Sequence, residues 1–327
     1  MKVNCQNKNN LSHKGFYDNR ALKRVLTFAA ENGTLFAATT TLALSGIRPL
    51  AILATPNTNK KNKQVACAKS ITSTLTGYII ALACSYPTAR AIRKIDKNPE
   101  KYLSSETINI LKDKEKLLKD SKAYSMATQI FKLGLGFLIA APKSILTALG
   151  TPYVFNMFNQ KENIEKLNPN PNEIPTFKGK DKLPKNIGKI INNKNFLNFV
   201  SKNKDSNFPL HMVAATDTLS TVTFVNQTMI SKKLENKDKK PLIYNSIIST
   251  ALSIFSTYTI SSLTNNQTEK FINKVKKANK GDPNLRKYED GIRVSKPIII
   301  AGLTYYILIP IISTFLADRI ELSKQKN

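Results

Sequence analysis

The chain lacks the residues from which most enzyme and metal sites are built. Among 327 residues there are two histidines, three cysteines and no tryptophan. His13 and His211 lie far apart in sequence, and no cysteine–histidine spacing suits a zinc site. The stretch AKS at 68–70 lacks the glycines of a phosphate-binding loop, and no G-x-S-x-G nucleophile motif occurs. We therefore expect no enzymatic activity, no cofactor and no bound metal.

Acidic residues are scarce as well, because 22 of them stand against 50 lysines and arginines and leave a net charge of +28. A coding genome biased towards lysine and asparagine is one explanation, and attraction to an anionic surface is the other. The basic loops contain few aromatic residues, although nucleic-acid sites usually combine arginine forks or aromatic platforms with positive charge. The expected partner is therefore the lipid bilayer with its anionic headgroups, and not nucleic acid.

Long apolar stretches are the main feature that the sequence does contain. About 20 helical residues cross the core of a bilayer, and a soluble helix seldom stays uncharged on every face over that length. The fifth and sixth of six apolar blocks meet this length without one ionisable group. These blocks predict an all-α integral membrane protein of the cell or cytoplasmic membrane, although the serines and threonines of the other blocks also suit a soluble helical bundle. The six blocks are residues 34–54, 66–89, 129–155, 211–230, 242–263 and 297–317.

The sequence also repeats itself. Six stretches recur in the same order at spacings of roughly 170 to 185 residues, which indicates a duplicated three-block unit. They pair LTFAAEN (26–32) with LNFVSKN (197–203), LFAATTTLAL (35–44) with MVAATDTLST (212–221), KSITSTLTGYII (69–80) with NSIISTALSIFS (245–256), AIRKI (91–95) with FINKV (271–275), NPEKY (98–102) with DPNLRKY (282–288), and GLGFLIAAP (134–142) with GLTYYILIP (302–310).

The repeat divides the chain into five predicted segments. Two membrane repeats, 34–155 and 196–317, flank a linker that is rich in proline, asparagine and lysine and is expected to be exposed. A basic amphipathic segment precedes the first repeat, and it either lies on a headgroup surface or packs as a helix on the bundle. The remaining three segments are the N-terminal segment 1–33, the linker 156–195 and the polar C-terminal tail 318–327.

Two membrane topologies remain open. With six spans the three-block units are inverted repeats, and the two faces carry 24 and 22 basic residues. With four spans, and with blocks three and six kinked or re-entrant, the repeats are parallel and the faces carry 38 and 8. Cytoplasmic loops are normally enriched in lysine and arginine, which favours the second topology. Pro142 and Pro310 are the candidate helix breaks in blocks three and six.

Charges inside the apolar blocks are the candidate functional residues. Lys143 lies near the centre of block three, and Asp217 lies seven residues into block four. A charge at membrane depth is costly unless it is paired or hydrated, so both are candidates for lining a polar pathway. A structural ion pair is the alternative. Arg48, Lys69 and Lys132 lie near block ends and are expected to extend towards headgroups.

Two functions follow from this pattern. The first is a small-solute or ion transporter or channel with its pathway at the repeat interface. The second is a non-transporting membrane scaffold, or a protein that binds anionic lipid surfaces through its long basic loops.

Overall fold

The computed structural model describes residues 15–112, 115, 118, 121–159 and 182–325. This part of the chain is 88% helical and contains no strands, which confirms the all-α prediction. Residues 1–14 of the predicted N-terminal segment, 160–181 of the predicted linker and 326–327 of the predicted tail lie outside the described residues. The helices are α1 (Arg20–Glu31), α2 (Gly33–Leu53), α3 (Lys60–Ile80), a π-helix (Ala81–Ser85), α4 (Tyr86–Lys97), a 3₁₀ helix (Pro99–Lys101), α5 (Ser105–Lys112), α6 (Lys122–Asn159), α7 (Lys182–Ile191), α8 (Lys194–Asn203), α9 (Phe208–Ile230), α10 (Asn236–Ala278), α11 (Leu285–Leu303), a second π-helix (Thr304–Leu308) and α12 (Ile309–Gln325).

Three helical stretches are long and apolar enough to cross a membrane, judged by length and composition within the described residues. They are residues Lys60–Lys97, Lys122–Phe158 and Leu285–Ser323. This result is compatible with a membrane protein. The two candidate helix breaks lie in the second and third of these stretches. The α-helix continues without interruption through Pro142 in α6. Pro310 is the second residue of α12, which begins directly after the second π-helix.

Part of the predicted linker is helical. Its residues 182–191, KLPKNIGKII, form α7, in which Pro184, Ile187, Gly188 and Ile191 are buried. Spacings of three and four residues place these side chains on one face of a helix. The stretch is short and holds both proline and glycine, and for this reason its apolar face was not recognised in the sequence.

The chain divides into two compact units. Unit 1 consists of residues 1–67 and 247–327, and unit 2 of residues 68–246. In unit 1, one apolar cluster joins α1 to α10 and α11 through Leu26, Ile272, Val275, Tyr288 and Ile292. Gly291 lies directly against the backbone carbonyl of Leu26, where a Cβ atom would clash, so α1 packs closely on α11.

Unit 2 contains a larger apolar cluster at one end of α6. It joins the helices α4, α5, α7 and α8 to the first turns of α6. Gly188 of α7 lies against the backbone of Tyr102. The fully or almost fully buried members include Ile95, Leu111, Ala127, Ile191 and Val200. This cluster fixes α7 beside the start of α6.

In each unit, the long helices from different halves of the sequence run parallel. In unit 2, three successive contacts along α6 meet residues of increasing number in the α8–α9 segment. They are Lys122–Asp205, Ser144–Ser220 and Tyr153–Lys233. In unit 1, contacts advance together along α1–α2 and α11: Glu31–Lys287, Gly33–Val294 and Leu44–Gly302. Neighbouring helices of one chain are more often antiparallel because short loops join them, so this arrangement requires long connections.

Exposed apolar side chains and buried hydroxyl groups occur on the same helical stretches. Leu138 is 73% exposed and Leu82 is 69% exposed. On the same helices, Thr76, Thr147 and Thr151 are buried. A water-soluble helix usually has the opposite pattern, with its polar face outward. In a bilayer the lipid covers the apolar face, and small hydroxyl residues allow helices to approach closely.

Candidate functional site

Lys69 of α3 lies inside unit 2. Its Nζ atom donates a 2.6 Å hydrogen bond to the Ser246 hydroxyl and lies 4.5 Å from the centroid of the Phe224 ring. A ring face and a hydroxyl oxygen both attract an ammonium group. This position corrects the expectation that Lys69 extends towards headgroups, because α3 begins at Lys60 and continues past Lys69 into the unit.

Lys143 of α6 faces α3. The Lys143 Nζ and Cε atoms lie 3.4 Å from the position that a Cβ atom of Gly77 would take. Seven residues further along α6, a Cβ atom on Gly150 would come within 2.6 Å of the Thr72 γ-methyl group. As α6 advances from Lys143 to Gly150, its contacts on α3 move back from Gly77 to Thr72, so the two helices are antiparallel here. Their approach depends on the missing side chain of Gly150, where a Cβ atom would clash.

Asp217 of α9 lies at the same level as Lys143. The hydroxyl groups of Ser144 and Ser220 are 2.6 Å apart and join α6 to α9 at this point. Lys143 precedes Ser144 directly, and Asp217 precedes Ser220 by three residues, or about 4.5 Å along the helix. Both charged residues have interaction partners.

The polar residues of the three helices recur every three or four positions, which places them on one face of each helix. We call these residues, together with Ser246 of α10 and the Phe224 ring of α9, the polar centre. Its polar members on the three helices are Lys69, Thr72 and Thr76 of α3, Lys143, Ser144, Thr147 and Thr151 of α6, and Asp217, Ser220 and Thr228 of α9.

Most of the hydroxyl groups in the polar centre donate within their own helix. The hydroxyls of Thr72, Thr147 and Thr151 each donate to the carbonyl oxygen four residues earlier, at 2.7–2.8 Å. The Ser246 hydroxyl donates in the same way to Leu242 while it accepts from Lys69. The hydroxyl oxygens of the three threonines keep lone pairs with which they can accept a further hydrogen bond.

One buried hydroxyl remains unsatisfied. The Ser70 oxygen is buried and has no hydrogen-bond partner among the described residues. A buried polar atom of this kind costs free energy unless a water or a ligand reaches it. Ser70 follows Lys69 on α3.

Unit 1 has a different interior. The matched stretches of the sequence place Thr40 opposite Asp217 and Ile311 opposite Lys143, and neither Thr40 nor Ile311 carries a charge. Instead, the Tyr305 hydroxyl in the second π-helix forms a hydrogen bond with the Thr257 hydroxyl and donates to the Ser253 carbonyl at 3.2 Å. π-helices often lie at functional sites, but this one is held by neutral groups.

The comparisons with known proteins assign no family. No protein-family model matches the chain, and no characterised protein or solved structure matches it at a significant level. Sequence reasoning singled out Lys143 and Asp217 through their charge, expected Lys69 to extend towards headgroups and did not single out Ser246. In the matched stretches of the sequence, Lys69–Ser70 stands opposite Asn245–Ser246, which aligns two polar pairs.

Proposed function

We propose that the chain is a multi-pass membrane protein that conducts or transports a small solute or ion through unit 2. The polar centre carries this proposal, because Lys69, Lys143 and Asp217 lie on helices that bury hydroxyl groups and expose apolar side chains. Charged groups inside an apolar layer are costly, and they usually mark the route of a polar substrate. We propose neither catalysis nor a cofactor.

We further propose that the fold is a duplication, and two hydrogen bonds support this. Lys63 donates from its ammonium to the Leu53 carbonyl at 3.4 Å, and Lys239 donates to the Met229 carbonyl at 3.1 Å. Both partners of the second bond lie 176 positions after those of the first, which is the spacing between Lys69 and Asn245 in the sequence repeat. Each bond ties the start of the second-block helix to the end of the first-block helix.

The apolar clusters of the two units also support the duplication. Residues that correspond in the repeat occupy the core of different units: Leu26 and Leu197, Ile92 and Ile272, Ile95 and Val275, Tyr102 and Tyr288. In each unit, the amphipathic helix that precedes one repeat packs on the second-block helix of the other. In the proposed duplication, α1 and α8 are therefore exchanged, because each packs with the other repeat instead of with its own.

The helix directions favour parallel repeats. Inverted repeats with six spans require α6 and α9 to run in opposite directions, since one polar linker joins consecutive spans. In unit 2 the two helices run in the same direction. The basic residues fit this arrangement, since most of those described in unit 2 lie in segments 90–122 and 182–204, near the start of α6, and fewer lie in segment 232–240 at the other end. We propose that the end with segments 90–122 and 182–204 is cytoplasmic.

Parallel repeats impose a condition on the connection between them. The chain leaves α6 at Asn159, and α7 begins at Lys182, beside the first turns of α6. The 38 residues of α6 extend over about 57 Å, so Asn159 and Lys182 lie at opposite ends of this helix.

Two experiments test the location and the transport. We expect the full-length protein to stay with membranes after a carbonate wash, and release into the soluble fraction would contradict the location. In liposomes, we expect flux of K⁺ or glycerol, a cation and a hydroxylated solute that hydroxyl oxygens can bind, above the rate of empty liposomes. Asp217→Asn and Lys143→Met are expected to change that rate, and Lys132→Met, on an exposed part of α6, is the matched control.

The alternative is a non-transporting scaffold that holds itself on anionic lipid through its basic end. The basic segments around α4, α7 and α8 favour it, because each lysine or arginine near an anionic leaflet contributes about 1 kcal/mol. Retention in membranes without flux of either solute would select this alternative.

A further inference from the structure

An open groove of about 310 Å³ lies at the basic end of unit 2, away from the polar centre. It is formed where α6 begins and where α8 turns into α9. Its polar lining comes from Ser121, Lys122, Ser125, Gln129 and Lys204, and Met126 and Pro209 complete it.

The groove lies beside the starts of two long helices. α6 begins at Lys122, and α9 begins at Phe208 with Pro209 in its first turn. The N-terminus of a helix carries a partial positive charge and free N–H groups, so it favours anions. The N-terminal ends of α6 and α9 both lie here, beside Lys122 and Lys204, and the C-terminal end of α8 at Asn203 lies here as well.

An acidic side chain already occupies part of this positive field. The Asp205 carboxylate accepts a 2.7 Å hydrogen bond from the Lys122 ammonium, and this bond lowers the pKa of Asp205. Both side chains are well exposed, at 76% for Lys122 and 60% for Asp205, so the pair can open at little cost. An anion that reaches both Lys122 and Lys204 would compete with Asp205 for Lys122.

Unit 1 shows how this chain satisfies an anion before the start of such a helix. Asp282 precedes α11 and accepts from the Asn284 N–H at 2.9 Å, from Lys23 at 3.2 Å and from the Tyr288 hydroxyl at 3.2 Å. The donors are a backbone N–H, an ammonium and a hydroxyl. The groove of unit 2 offers donors of the same kinds, namely the ammonium groups of Lys122 and Lys204, the Ser125 hydroxyl and the Gln129 amide.

We propose that this groove binds the phosphate headgroup of an anionic lipid. A lipid fits better than free phosphate, because the groove lies at the beginning of the apolar stretch Lys122–Phe158, with Met126 in its lining. The headgroup then lies at the basic end, and the acyl chains follow the exposed apolar face of α6. This site does not depend on transport by the polar centre.

The test measures binding of a short-chain phosphatidylglycerol to the detergent-solubilised full chain, with phosphatidylcholine as the neutral comparison. Lys122→Gln combined with Lys204→Gln is expected to weaken phosphatidylglycerol binding about tenfold. Lys189→Gln combined with Lys202→Gln removes the same charge from exposed positions of α7 and α8 outside the groove lining, and it is expected to change binding less than twofold. Equal losses in the two double variants would overturn the site, because they would mean diffuse attraction.

Two further measurements separate this site from a structural role and from free phosphate. Asp205→Asn removes the resident carboxylate and is expected to tighten phosphatidylglycerol binding, whereas weaker binding would count against the proposal. Inorganic phosphate at the same concentration is expected to displace little lipid. Complete displacement would overturn the choice of a lipid and make free phosphate the ligand.

Discussion

The Lys69 ammonium donates to the Ser246 hydroxyl at 2.6 Å and thereby links α3 to α10 inside unit 2. The bond pairs a charged donor with a neutral acceptor, and the Phe224 ring covers the same ammonium. A structural role and a role in a solute pathway predict different effects when the charge is removed.

Lys69→Met is the first testable change. Methionine keeps much of the lysine volume, and replacing a buried charge with an apolar group of similar size is often neutral for stability. We therefore expect the melting temperature in detergent to change by only a few degrees, while solute flux in liposomes changes at least severalfold. Lys132→Met is the matched control and should leave both unchanged. A large loss of stability with unchanged flux would assign Lys69 to the fold alone.

The second prediction concerns the contact between Gly150 and Thr72. A Cβ atom on Gly150 would lie 2.6 Å from the Thr72 γ-methyl group, so Gly150→Ala forces α3 and α6 apart and is expected to cost about 1–3 kcal/mol. Gly136→Ala in the same helix meets open space and is expected to be neutral or stabilising, since alanine favours helices by up to about 1 kcal/mol. Thermal unfolding measures both.

A double variant makes this test specific. Thr72→Ala removes the opposing methyl group, so Gly150→Ala should cost much less in that background than in the original chain. Equal costs in the two backgrounds would show that the contact does not limit the approach of α3 and α6.

The sequence predicts features that depend on residue type, and it does not predict those that depend on how the helices pack. The helical character of the chain was predicted correctly because apolar runs are visible in one dimension. Isolated charges are visible in the same way, and the roles of Lys143 and Asp217 stay predictions. Lys69 was misplaced, because its position near a block end does not say whether the side chain turns outward or towards α10. The parallel course of α6 and α9 was not predicted either. The count of basic residues for each loop assumed that both ends of a loop lie on the same side. Asn159 and Lys182 lie at opposite ends of α6, so this assumption does not hold for the linker.

The third prediction uses the pH dependence at the start of α11. The Asn284 N–H first of all, and then Lys23 and Tyr288, stabilise the charged carboxylate and lower the pKa of Asp282. A lowered pKa contributes stability that is present above the ordinary pKa of aspartate and is lost as the pH falls through the folded value. Asp282→Asn should therefore lower the melting temperature at pH 7, and the difference from the original chain should shrink below about pH 4.

The control for this prediction is Asp290→Asn, which removes a carboxylate from an exposed position of the same helix. It is expected to change the melting temperature little at any pH. If the melting temperatures of Asp282→Asn and of the original chain differ by the same amount down to pH 3, the contribution of Asp282 does not depend on the charge of its carboxylate.

The last prediction is the topology of unit 2, measured with single cysteines in a chain that lacks the native three. We place them at Asn156 near the end of α6, at Lys182 at the start of α7 and at Lys232 after α9, three exposed positions. Parallel helices put Asn156 and Lys232 at one end of the unit and Lys182 at the other. If α6 and α9 both cross the membrane, an impermeant reagent applied to intact cells should label Asn156→Cys and Lys232→Cys but not Lys182→Cys, because the end with more basic residues faces the cytoplasm. Inverted repeats instead place Asn156 and Lys182 on one face, opposite Lys232, since both lie in the same linker. Labelling of all three positions alike in intact and permeable cells would mean that α6 does not cross, and that the apolar faces of unit 2 are covered by something other than a bilayer.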